Sequence, residues 1–152
     1  MATYETILSG RRGEVMGPGW GREEIVVTAI VALPSAAVSN ADDDTGLFYV
    51  PAGFVVTGIT ASATDLDGAT TNALRIDIGD ADDENRLMAA ADLSSAISST
   101  LALAGHLYKY TVKTQIRAYV ETAATTAAAG TLKVSLKGFV DPDFSTTAIT
   151  AA

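Results

Sequence analysis

The densest concentrations of chemically capable side chains are two acidic clusters, Asp42-Asp43-Asp44 and Asp80-Ala81-Asp82-Asp83-Glu84-Asn85. A hard cation such as calcium takes roughly six to eight oxygen ligands, so Asp80, Asp82, Asp83 and Glu84 are the candidate metal ligands. Their spacing is not that of an EF-hand, because the glycine and the closing glutamate are misplaced. The plainer reading is a solvated acidic turn in which Asp and Asn serve as turn formers. That reading is preferred, and no cofactor is expected. Paired carboxylates also serve glycosidases. Here the single tryptophan, Trp20, stands in a separate N-terminal segment, so no aromatic sugar-stacking cleft is visible.

Other catalytic constellations are weak. His106 is the only histidine, with Ser95, Ser98 and Ser99 nearby in sequence, and there is no Gly-x-Ser-x-Gly elbow. A lone histidine beside a turn glycine reads as a surface or strand-end residue. Gly17-x-Gly19-x-Gly21 lacks the preceding strand, glycine spacing and following helix of a dinucleotide site. Arg75 and Asp77 share a strand face, and Tyr108, Tyr110 and Tyr119 fall in or near strands, where cross-strand surface pairs account for them. The chain is therefore read as non-enzymatic.

These residues belong to a 152-residue chain with no cysteine, a net charge of −8 and a pI of about 4.4. One domain of this size buries roughly two-thirds of its surface without a disulfide or metal staple. The acidic balance argues against binding nucleic acid directly. Charge is segregated along the sequence. From Asp42 to Asp92 eleven acidic residues meet two basic ones, Arg75 and Arg86. From Lys109 to Lys137 five basic residues meet Glu121 alone. Differently charged faces of one domain explain this. A sharper reading is an oriented protein with an acidic outer end and a more basic docking end. The N-terminus carries no basic n-region, so no signal peptide is expected. The longest apolar run, Ile25 to Leu33, is far too short to span a bilayer.

From residue 25 the hydrophobic period is two. Ile25–Leu33, Leu47–Val50, Phe54–Ile59, Leu74–Ile78, Ile116–Val120 and Leu132–Leu136 read as strands, with Arg86–Ala90 and Leu107–Val112 as weaker ones. Pro51-Ala52-Gly53 is a turn. The spacing predicts an all-β fold: a single antiparallel β-sandwich of about eight strands over 25–140. Asp92 is a candidate cap for a short helix carrying Leu93, Ile97 and Leu101 on one face, with a loop as the alternative. Thr122–Gly130 reads as a hairpin connection. Residues 1–24, with Gly17-Pro18-Gly19-Trp20-Gly21 at their centre, read as an extended N-terminal arm. Its apolar residues Tyr4, Ile7, Leu8, Val15, Met16 and Trp20 are the candidate partner-binding residues. Residues 141–152 form a tail that leaves the sheet at Pro142.

Three stretches carry a resemblance to a known class: Val50-Pro51-Ala52-Gly53-Phe54-Val55-Val56-Thr57-Gly58-Ile59, then Leu74-Arg75-Ile76-Asp77-Ile78-Gly79-Asp80-Ala81-Asp82-Asp83 continuing to Arg86, and the run from Val120 through Gly130 to Val134. The chain resembles the small β-sandwich virion proteins of tailed bacteriophages over roughly residues 47–140, as a pattern of strands and turns. The resemblance implies a jelly-roll-like building block, either a head decoration (cement) protein or part of a tail fibre or spike, both often trimeric. For a cement protein it further implies the major capsid protein as partner, the outer surface of the virion as location, assembly in the host cytoplasm and no membrane contact. The alternative is a receptor- or glycan-binding module of a fibre.

Overall fold

The computed structural model describes residues 3–8, 24–93, 97–98 and 100–141. Among them nine strands form two antiparallel sheets. They are β1 (Thr3–Leu8), β2 (Ile25–Leu33), β3 (Asp44–Val50), β4 (Phe54–Ala63), β5 (Arg75–Gly79), β6 (Met88–Ala91), β7 (Ile97–Ser98), β8 (Thr114–Thr122) and β9 (Gly130–Val140). One sheet has the order β1-β2-β9-β4-β7 and the other β3-β8-β5-β6. The all-β sandwich expected from the period-two pattern is therefore present. From β2 onward the chain changes sheet at every step except β5 to β6. That wiring makes nearly every connection a crossing from one sheet to the other.

Alternation decides the faces. Val27, Ala29, Val31 and Leu33 of β2 and Leu132, Val134 and Leu136 of β9 point into the core. Across from them lie Phe48, Ile76, Ile78, Met88, Ile116, Ala118 and Val120 of the second sheet. Two consecutive apolar residues, Leu47 and Phe48, are both fully buried. Strict alternation forbids this, and a register shift between Gly46 and Phe48 permits it. A second shift falls between Val56 and Gly58. The turn before β4 is confirmed: Gly53 takes φ 85, where glycine is strain-free, and the Phe54 N–H donates to the Pro51 carbonyl at 3.2 Å.

Three expectations are corrected. Thr122–Gly130 is no hairpin, because β8 and β9 lie in different sheets and the segment is a crossover. The helix capped by Asp92 does not form, since Ile97–Ser98 pairs with Ala61 and Ser62 on the edge of β4. Leu107–Val112 is no regular strand. It follows the start of β4 irregularly, through a Val55–Lys109 bridge and the Tyr110 N–H donating to the Phe54 carbonyl at 2.9 Å.

Two crossovers meet at one end of the sandwich: residues 64–74 between β4 and β5, and 123–129 between β8 and β9. Asp67, fully buried, joins them. Its carboxylate accepts backbone N–H bonds from Ala69, Ala73 and Leu74 in its own crossover. It also accepts bonds from Thr125 at 3.0 Å and Thr126 at 2.9 Å in the other. These bonds, Thr126 first, outweigh burial and hold the carboxyl far below its ordinary value of 3.8. A depressed folded pKa means the stabilisation is complete above the unfolded value and is lost as pH falls through the folded one. Asp67→Asn should therefore lower Tm at pH 7, with the gap to the parent narrowing below pH 3.8. Thermal melts across pH check this. A gap of constant size would contradict a charge-based clasp.

Candidate functional site

The acidic loop after β5 is built around Gly79. A Cβ there would lie 2.1 Å from the Asp83 carbonyl oxygen and 2.5 Å from that of Glu84, so the loop folds directly onto the strand end. Asp80, 2 % exposed, is its anchor. One carboxylate oxygen accepts the Asp82 and Asp83 N–H groups at 3.0 and 3.1 Å. The other accepts Arg86 Nε at 2.7 Å. The Asp83 carboxylate lies 3.9 Å from Arg86 Nη1. Burial opposes the charged guanidinium, but the Asp80 contact more than offsets it. Arg86 then covers the Tyr108 ring at 4.1 Å, and Tyr108 meets Tyr110 edge-on with centroids 4.9 Å apart. Burial, with Asp80 adding to it, pushes the Tyr110 phenol far up, so it stays neutral and cannot act as a base.

The candidate calcium ligands do not converge. Asp80 is committed to Arg86 and its own turn, Asp82 and Glu84 are exposed, and Asp83 is half-buried. Among the described residues no group of three or more His, Cys, Asp or Glu side chains could hold a metal ion. The arrangement clasps a loop; it does not present ligands.

This clasp belongs to one of two dissimilar faces. The outer side of the four-stranded sheet is rich in carboxylates. Asp44 pairs with Arg117 at 3.0 Å, Asp77 accepts the Ala90 N–H, and Glu121 is exposed. Tyr119, buried among them, has its phenol pushed up by burial against the pull of Arg117, with Asp44, Glu84 and Asp80 adding to the rise. The other sheet differs. β2, β4 and β9 contain no acidic residue. Their outward side carries Thr28 and Ser135, hydroxyls 2.9 Å apart, with Ile30 at 40 % exposure and the exposed Lys133 and Lys137. Ile30 and Lys133 are direct register partners. The charge segregation along the sequence maps onto the faces only in part: Lys133 and Lys137 lie on the five-stranded side, whereas Arg117 pairs with Asp44 on the four-stranded side and Lys109 with Asp141.

The arm residues fall into two groups. Tyr4, Ile7 and Leu8 lie in β1, whose register partners on β2 for these positions are Ala29, Val26 and Ile25. Val15, Met16 and Trp20 lie outside the described residues. His106 is exposed at the end of a 3-10 turn, Leu103–Gly105. Ser98 lies in β7, and Ser95 and Ser99 are outside the described residues. Sequence reasoning missed the apolar projections of the β7–β8 connection, Leu103 at 90 % and Leu107 at 68 % exposure. Leu107 holds φ 54, unusual for a branched side chain. No hydropathy pattern distinguishes them from core leucines.

Two outcomes follow from the clasp. Arg86→Ala strands a buried carboxylate and should destabilise the fold by about 3–5 kcal/mol, read by chemical denaturation. Millimolar calcium should leave the parent Tm unchanged, checked against chelator; a rise would show that the acidic loop binds the ion after all.

No family model and no curated protein matches the sequence. Solved structures do match. A chain of the cyanophage Pam1 capsid asymmetric unit aligns over 86 % of this chain and 94 % of its own, at 28 % identity and a TM-score of 0.67. A chain of the capsid of Ralstonia phage GP4 aligns over 82 % and 89 %, at 18 % identity and a TM-score of 0.69. A third, from an acid-stable capsid structure of Helicobacter pylori bacteriophage KHP30, covers 89 % and 93 %, at 15 % identity and a TM-score of 0.51. The sandwich described above is therefore a fold found in chains of phage capsid structures.

Proposed function

We propose that the chain is a virion structural protein, a capsid decoration (cement) protein that bridges major capsid subunits from the outer surface of the head, as a trimer. The observation that carries this reading is the alignment to the Pam1 capsid chain over nearly the whole of both chains. The physical features agree with it. The clustered side chains are committed to holding the fold, and in this reading the chain catalyses nothing. The two faces differ in charge, as an oriented surface protein requires. The acidic four-stranded face turns to solvent and keeps particles from associating, and the side of β2, β9 and β4 that carries Lys133 and Lys137 turns towards the shell. The arm, through Tyr4, Ile7, Leu8, Val15, Met16 and Trp20, supplies the contacts with neighbouring subunits, of this chain or of the shell. A specific contact needs on the order of 1,000 Å² of buried surface, and an extended segment reaches that readily. Contacts to several subunits at once add avidity without new chemistry.

A receptor- or glycan-binding module of a fibre is the competing reading. It relies on exposed tyrosines, and Tyr110 and Tyr119 are buried while Tyr108 is partly so. Tyr49, half exposed and 4.9 Å from Lys113 Nζ, is the described tyrosine left for such a role.

Co-sedimentation with phage heads lacking the protein separates the two readings. The full chain should bind saturably. A chain starting at Glu24 should not, and Trp20→Ala, which leaves β1 intact, should bind more weakly while melting normally. Failure of every form to bind would contradict the cement reading and direct attention to adsorption on host cells.

A further inference from the structure

β1 covers the outer edge of β2. β1 and β2 are antiparallel neighbours whose ends lie directly opposite, Leu8 against Ile25. Two residues suffice to join strands in that relation. Here sixteen intervene, residues 9–24. A segment of that length spans at most about 55 Å when extended, several times the spacing of paired strands. β1 therefore has the reach to lie on the β2 of its own chain or on that of a neighbour.

We infer that the outer edge of β2 is a strand-acceptor site whose occupant in the assembled protein is β1 of a second copy of this chain. The pairing Thr3↔Ile30 to Leu8↔Ile25 supplies the same backbone hydrogen bonds whichever copy provides the strand. Exchange therefore leaves the bonding within the sheet unchanged and turns it into a link between copies. A long connection lowers the effective concentration that favours the closed form. Copies crowded on one surface raise the concentration of the competing strand. The acceptor must be filled in either case, because a bare β2 edge exposes unpaired N–H and C=O groups. The inference rests on the proposed function in one respect, that copies meet side by side. It divides the arm's work: residues 3–8 tie copies together, and residues beyond β1 remain for the shell.

The absence of cysteine makes the test clean. Thr3 and Ile30 are direct register partners, and Ile30 is well exposed, so T3C and I30C together place two thiols within disulfide range. The full-length double variant is oxidised both free and bound to heads, then run under denaturing, non-reducing conditions. Strand exchange predicts loss of the monomer band into covalent multimers that reductant restores. Co-expressing a tagged T3C chain with an untagged I30C chain should give a mixed covalent dimer, and T3C with V112C should not. Disulfides confined to single chains, or none in either preparation, overturn the inference. Head binding without inter-chain disulfides would leave the cement reading standing and remove the exchange. Exchange without head binding would do the reverse.

Discussion

One buried carboxylate, that of Asp67, ties two crossovers together at one end of the sandwich. In this wiring almost every connection passes from one sheet to the other, so the sheets are joined by crossovers and not by hairpins. Crossovers are the elements most free to drift, and a drift of one residue would turn a strand's apolar side outward. Asp67 removes that freedom at one end by accepting backbone bonds from two crossovers that are far apart in sequence. Five backbone N–H groups, that of the buried Leu74 among them, are satisfied by one residue. Its neighbours reinforce the contact: the Gly68 N–H donates to the Thr126 carbonyl and the Ala128 N–H to that of Leu66. With that end tied, the alternation along β2, β4, β8 and β9 has a fixed meaning, and the two outer faces acquire their separate characters.

Those characters carry the functional argument. On the four-stranded side the carboxylates are neutralised locally or bent into turns, as Asp44 is by Arg117 and Asp80 by Arg86. On the five-stranded side, small hydroxyl side chains and two lysines cover three adjacent strands that lack any acid. Small side chains on a surface of this kind leave room for close approach by another protein. The similarity to a chain of the cyanophage Pam1 capsid asymmetric unit shows the same kind of sandwich in a phage capsid structure.

Much of the fold was legible because period-two alternation survives in the composition of single strands. Ile25–Leu33 was read with its observed limits, and Phe54, Ile76, Ile116 and Val134 were all read on the correct strands. What was not legible depends on residues distant in the chain. Thr122–Gly130 has the composition of a hairpin loop, and nothing local says that β9 pairs with β2 and β4 instead of β8. Asp67 sits in an ordinary Asp-x-Asp-Gly turn, and its partners Thr125 and Thr126 are nearly sixty residues away, so its burial left no local mark. The acidic loop was noticed for its oxygen density. That Arg86 lies within reach of Asp80 and covers the Tyr108 ring depends on the loop folding back over Gly79.

The central claim is that this sandwich is a building block of the virion, set on the head with its acidic face outward. A cryo-electron microscopy reconstruction of particles carrying the protein tests that most directly. The account predicts density for the two-sheet sandwich outside the capsid shell, with the β2-β9-β4 face towards the shell and the loop around Asp80 towards solvent. Density absent from the head and present at the distal end of the tail would contradict it.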